Sequence, residues 1–190
     1  MKKPNLKITF NAPVVLGFAF VCLVVMLIGI ATGGGSTTAV FSTYHSSLAS
    51  PMTYVRFFTH VLGHAGWDHY IGNMAYILLL GPMIEEKYGS KRVLSVILIT
   101  ALITGLVNYI FFWDVALCGA SGVVFAFILL TSFTSFKDGE IPLTFILVFV
   151  IYIGQQVYDG IFVNDNISNL SHIIGGLIGA GVGYVFNRKK

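Results

Sequence analysis

Of 190 residues, 56% are hydrophobic and 10% charged, where soluble domains carry about 25% charged residues. That balance excludes a water-soluble globular core and points to a chain embedded in a bilayer. The formal net charge of +3 comes with no basic face of the kind that grips nucleic acid, so no nucleic-acid partner is expected.

A spanning helix needs about 20 apolar residues, because the hydrocarbon layer is about 30 Å thick and a helix rises about 1.5 Å per residue. Six stretches qualify in chain order: 12–31, 70–84, 92–112, 119–136, 141–158 and 170–186. The expected fold is therefore all-α, a six-transmembrane-helix bundle that fills 1–190 as a single domain. The first stretch has a rival reading. Lys2-Lys3, an apolar run and a small-residue tail from Ala31 to Gly35 resemble a cleaved signal peptide. The run is longer than the usual apolar region of such a peptide, which favours a retained helix. Cys22 and Cys118 fall within or beside spans, and nothing marks them as a disulfide or metal pair.

Orientation follows from the cations. Lys2, Lys3 and Lys7 precede the first span; Lys87, Lys91 and Arg92 lie between the second and third. Lys137 lies between the fourth and fifth, and Arg188, Lys189 and Lys190 close the chain. With six alternating spans all ten share one side, leaving Arg56 on the other with Asp68, Asp114, Asp159 and Asp165. Both termini are thus expected in the cytoplasm.

Three polar sets then fall at one depth, because the second, fourth and sixth spans all run inward from the extracytoplasmic side. His60-x3-His64-x4-His69-x3-Asn73 sits at and just inside the start of the second span. Ser121, within Gly119-Ala120-Ser121-Gly122, opens the fourth, and His172 opens the sixth. Taken singly, a membrane serine is more often bonded to its own helix and an interfacial histidine more often structural. Polar groups in a span are costly and usually retained for function, and matching ends on alternate helices make the joint pattern telling. Gly175, Gly179 and Gly183 share a helical face with His172, and Gly119 and Gly122 flank Ser121. Small residues so spaced let helix backbones approach closely in lipid.

The chemistry that fits is acyl transfer. A hydroxyl becomes nucleophilic when a base such as histidine takes its proton. The oxyanion then needs donors, for which His69, Asn73 and the Ser121 backbone N–H are candidates. No Asp or Glu lies in a span near His172, so the expectation is a Ser–His dyad without a third carboxylate. Two other motifs fail. His60-Val61-Leu62-Gly63-His64 lacks the glutamate and spacing of a zinc protease helix. Ser121 is followed by Gly122-Val123 instead of the x-Gly of a hydrolase elbow, and no strand precedes it. No metal or cofactor is implied.

From 54 to 184 the chain resembles the rhomboid intramembrane serine proteases. The likeness rests on Arg56-Phe57-Phe58-Thr59-His60, on His64, His69 and Asn73 with Ala65-Gly66-Trp67, and on Gly81-x3-Glu85-x3-Gly89. It continues through Gly119-Ala120-Ser121-Gly122 and His172-x2-Gly175-x3-Gly179. The resemblance implies a bundle that cuts transmembrane segments of other proteins, with Ser121 as nucleophile and His172 as base and then acid. It implies His69, Asn73 and the Ser121 N–H as oxyanion hole and Glu85 as a structural carboxylate near the cytoplasmic turn. It further implies that the loop 32–53 lies partly in the membrane and that the fifth span and 157–169 gate an outward-opening cavity. Two positions depart from the family: Val55 stands where many members have Trp, and Phe125 where a tyrosine often stacks under the histidine. Phenylalanine keeps the aromatic face. The expected setting is a bacterial plasma membrane, with lipid and transmembrane protein substrates as partners. A non-catalytic scaffold that binds transmembrane helices is the rival; a small transporter would require inverted repeats and broken helices, and the sequence has neither.

Overall fold

The computed structural model describes residues 8–134, 140–163 and 169–188. Lys2, Lys3, Lys7, Lys137, Asp165, Lys189 and Lys190, and part of 157–169, lie outside the described residues. In chain order the elements are α1 (Pro13–Ala31), α2 (Gly35–Val40), α3 (Pro51–Thr59), a 3-10 turn (His60–Leu62) and α4 (Trp67–Tyr88). There follow α5 (Ser90–Phe111), α6 (Ser121–Ser132), α7 (Leu143–Phe162) and α8 (Asn169–Asn187). Among the described residues the only β pairing is an isolated antiparallel bridge between Thr43 and Leu117.

Each of the six apolar stretches carries a helix. Four of these helices, α1, α5, α7 and α8, are long and apolar enough to cross a membrane; α6 is apolar but shorter. The boundaries differ from the hydropathy pattern where backbone chemistry overrides it. α4 starts at Trp67 instead of 70 and runs through Glu85, Glu86 and Lys87, past the expected end at 84. It stops only at Gly89, whose φ of +85° suits glycine and turns the chain directly into α5. His60 and His64 therefore precede α4, and only His69 and Asn73 lie on it. α6 begins at Ser121 because Gly119, at φ +127°, cannot be part of a helix.

Glu85 explains how α1 is held. Pro13 at the first turn has no N–H to satisfy, and the Val14 and Val15 amides donate to the two carboxylate oxygens of Glu85 at 3.1 and 3.0 Å. Ser90 Oγ donates to the same carboxylate at 2.6 Å. A buried acid at the positive end of a helix thus joins α1, α4 and the α4–α5 turn.

α6 is the centre of the bundle, burying Gly122, Val123, Val124 and the run Ala126 to Leu130. α8 lies against it backbone to backbone. A Cβ on Gly175 would stand 2.1 Å from Gly122 O, and one on Gly179 2.1 Å from Ala126 O. On the other flank, a Cβ on Gly81 would meet Val15 at 2.7 Å and Phe127 at 3.2 Å, so α1, α4 and α6 also meet through a small residue. Large apolar side chains such as Leu79, Phe111 and Phe162 point outward, as lipid-facing residues do.

The segment 32–66 is shaped by polar bonds to the bundle. Asn108 Nδ2 on α5 donates to Thr43 O at 3.1 Å and Val115 O at 3.0 Å. Arg56 donates from Nε and Nη2 to Ala39 O at 2.9 and 2.7 Å, with its guanidinium 4.4 Å above the Tyr44 ring. His60 is fully buried, its Nδ1 3.1 Å from Arg56 O and its Nε2 3.2 Å from Thr104 Oγ1. It pins α3 and the 3-10 turn to α5.

Candidate active site

Ser121 is the first residue of α6 and half-buried, so its backbone N–H has no partner within the helix. The bend that delivers it is Gly119. That residue's N–H donates to His60 O at 2.9 Å. A side chain there would collide with His69, the added Cβ lying 2.5 Å from His69 Nε2 and 3.7 Å from Asn73 Nδ2. Gly119 is needed twice: for its positive φ and for the approach of these two side chains from α4.

The α4 donors are poised differently. The Ala65 amide donates to His69 Nδ1 at 3.5 Å, which puts the imidazole proton on Nε2, the atom facing Gly119. Asn73 is buried and its Nδ2 has no hydrogen-bond partner among the described residues. An unpaired buried amide costs about 1–3 kcal/mol. His64 stands edge-on to His69, ring centroids 5.1 Å apart, with its Nδ1 3.2 Å from Leu62 O. Burial drives His64 down to about 4, helped by the neighbouring His69, so it stays neutral at physiological pH. At Cys118, three residues before Ser121, burial pushes the thiol up, only partly offset by a hydrogen bond to Ser42.

His172 lies in the first turn of α8 and is buried. Its ring stacks on Phe125 with centroids 4.6 Å apart and planes 3° from parallel. Phe125 is one helical turn beyond Ser121 on α6, so the imidazole rests over the face that Ser121 begins. Close α6–α8 packing reinforces this, because Ser171 O lies 3.6 Å from the position of a Cβ on Gly122. Ser121, His69, Asn73, His172 and Phe125 thus gather at one end of the bundle around the Gly119 and Gly122 backbone. Glu85 lies elsewhere, near the far end of α4, and Gly175 and Gly179 serve the helix contact.

The structure adds a residue that sequence reasoning passed over. Gln156 on α7 is buried, and its Oε1 lies 2.6 Å from His172 Nδ1. Its signal was the Gln155-Gln156 pair inside the apolar stretch 141–158. Which of the two faces inward is a matter of helical phase: Gln155 is exposed and bonds Asp159 at 2.9 Å.

A helical bundle presenting apolar side chains outward and gathering a serine, an imidazole and an unpaired amide around a glycine bend defines a class: polytopic membrane proteins with a polar site. The family model for the rhomboid domain matches residues 51–189. The chain belongs to the rhomboid family and is an integral membrane protein. It is 32% identical over 158 residues to Rhomboid-related protein 2 of Mus musculus, an alignment covering 72% of this chain and 52% of the mouse protein. It is 27% identical over 139 residues to Rhomboid protease GlpG of Haemophilus influenzae, covering 71% of each. It is 27% identical over 188 residues to Rhomboid protease GluP of Bacillus subtilis, covering 94% of this chain and 36% of that protein. The chain spans about half the length of its mouse relative.

Proposed function

We propose that this chain is an intramembrane serine endopeptidase that hydrolyses peptide bonds in or near transmembrane segments of other membrane proteins. Residues 1–190 act as one domain of six spans, with both termini cytoplasmic and the site opening to the extracytoplasmic side of a bacterial plasma membrane. Ser121 Oγ attacks the scissile carbonyl while His172 Nε2 takes its proton. Negative charge developing on the carbonyl oxygen is met by Asn73 Nδ2, His69 Nε2–H and the Ser121 N–H. His172 then returns the proton to the leaving amine, giving an acyl-enzyme, and activates the water that releases the acyl group.

The observation that carries this reading is the Asn73 Nδ2, buried without a partner among the described residues and close to Gly119. A buried donor with no partner is a cost to the fold that an oxyanion repays at the moment of reaction. Two of the relatives bear protease names, Rhomboid protease GlpG and Rhomboid protease GluP, which supports the same reading.

The test is fluorophosphonate labelling of purified protein alongside cleavage of a transmembrane substrate, in wild type, Ser121→Ala and His172→Ala. Labelling and cleavage of wild type, both lost in the two variants, are expected. Folded wild type that neither labels nor cleaves overturns the proposal in favour of a scaffold that binds transmembrane helices.

A further inference from the structure

α7 is a poorly buried helix with one polar group turned inward. Its only buried residues are Ile153 and Gln156, while side chains such as Val150, Ile151 and Phe162 are exposed to the apolar surroundings. Ile153 and Gln156 are three residues apart and share a face. Both touch α8. A Cβ on Gly176 would stand 2.4 Å from Ile153 Cδ1, so this glycine makes room for Ile153, and Gln156 Oε1 meets His172 Nδ1 at 2.6 Å. An amide buried on an otherwise apolar helix costs free energy unless bonded. The bond it makes is to the imidazole of the site.

We propose that Gln156 is a positioning residue: its Oε1 accepts the Nδ1–H of His172 and so fixes the ring's tautomer and rotation. The inference rests on the proposed role of His172 as base and adds a third member to that pair. An amide oxygen can only accept, so the proton resides on Nδ1 and Nε2 keeps its lone pair for the serine. The Phe125 stack cannot do this alone. It fixes the plane of the ring but tolerates a 180° flip that would take both nitrogens from their places. The bond to Gln156 removes the flip. Being neutral, the amide steadies the imidazolium that forms during reaction less than a carboxylate would. Placing this acceptor on α7 ties the orientation of the base to the seating of that helix on α8.

The test compares Gln156→Met, which keeps length but cannot accept in this way, with Gln156→Glu, which keeps the acceptor oxygen. Kinetics on a cleavable transmembrane substrate should show kcat lowered roughly 10- to 100-fold in Q156M with KM within about twofold, and kcat within about threefold of wild type in Q156E. A residue that merely packs gives the reverse order, since methionine suits an apolar contact better than a carboxylate. Q156M with wild-type kcat, or Q156E as the poorer variant, overturns the inference. A readout independent of activity accompanies it: imidazole ¹⁵N spectra of histidine-labelled protein, with His172 assigned by difference from His172→Ala. The Nδ1–H tautomer in wild type and mixed tautomers in Q156M support positioning. The Nε2–H tautomer in wild type, or no change in Q156M, overturns it. Wild type that shows the expected tautomer but cleaves nothing sinks the protease reading and leaves the positioning intact.

Discussion

Two regions of this molecule are held by opposite means. Between α6 and α8 there are no side chains at the closest points: Gly175 faces Gly122 and Gly179 faces Ala126, carbonyl against Cα. Around segment 32–66 and along α7 the contacts include side-chain hydrogen bonds, from Arg56, His60, Asn108 and Gln156. The glycine contacts of the first region have nothing to titrate and no room to yield. The second has room but depends on donors and acceptors staying in the right state. One should fail by volume, the other by loss of a hydrogen bond, which acid can bring about at His60. The site takes Ser121 from the rigid side and the loop's His60–Gly119 tether from the other.

The largest effect comes from adding volume to the rigid contact. In Gly175→Val the Cβ alone falls 2.1 Å from Gly122 O and 2.8 Å from its carbonyl carbon, both helix backbone that cannot rotate away. Overpacking typically costs about 1–3 kcal/mol where side chains can adjust; here the cost should exceed that range. Thermal unfolding in detergent should show a large loss of stability, with substrate cleavage abolished. Gly181→Ala on the same helix, where a Cβ meets nothing within 4 Å, should be neutral or slightly stabilising. Equal behaviour of the two variants would mean that α6 and α8 do not meet through this face.

The next effect is acid. His60 is fully buried between Arg56 O and Thr104 Oγ1, and burial lowers it to about 4, outweighing hydrogen bonds to the Arg56 and Phe57 backbone that raise it. The folded value lies below the ordinary 6.5, so the neutral form is the one the fold accepts. Its stabilising contribution is complete above about 6.5 and is lost as pH falls through about 4, on the order of 3 kcal/mol in all. Stability measured by denaturation should decline over that window, and His60→Gln should make the decline shallower, leaving the share of His64, which burial also lowers to about 4. A wild-type curve flat across the same window would remove His60 from this role.

The same contrast explains what was legible in the sequence. Regions built on pattern could be read: the apolar stretches 12–31, 92–112 and 170–186 became α1, α5 and α8 within about two residues. The glycine spacing on α8 gave its contact with α6, since small residues at helical period have few other meanings in lipid. Ser121, His69, Asn73 and His172 could be singled out because each is costly in a span, and the structure gathers them at one end. What escaped was set by tertiary bonds. α2 lies in a run of small and polar residues and α3 is too short to stand out as a span; their placement comes from Asn108 and from Arg56 on Ala39. Gln156 looked no different from Gln155 until the phase of α7 against α8 was fixed, although its place three residues after Ile153 contains that information.

Asn73→Ala sharpens the contrast because this residue is braced by neither region. Its Nδ2 is buried without a partner among the described residues, so truncation removes no bond from that atom and relieves an unpaired donor. Stability should be unchanged or slightly raised, a far smaller shift than in Gly175→Val. Turnover should nevertheless fall by up to about a hundredfold, the usual cost of losing one oxyanion donor. The two readouts therefore move in different directions, which distinguishes a donor reserved for reaction from one that supports the fold. If unfolding temperature and turnover fall together, Asn73 is structural. If neither moves, the oxyanion is met by His69 and the Ser121 N–H without it.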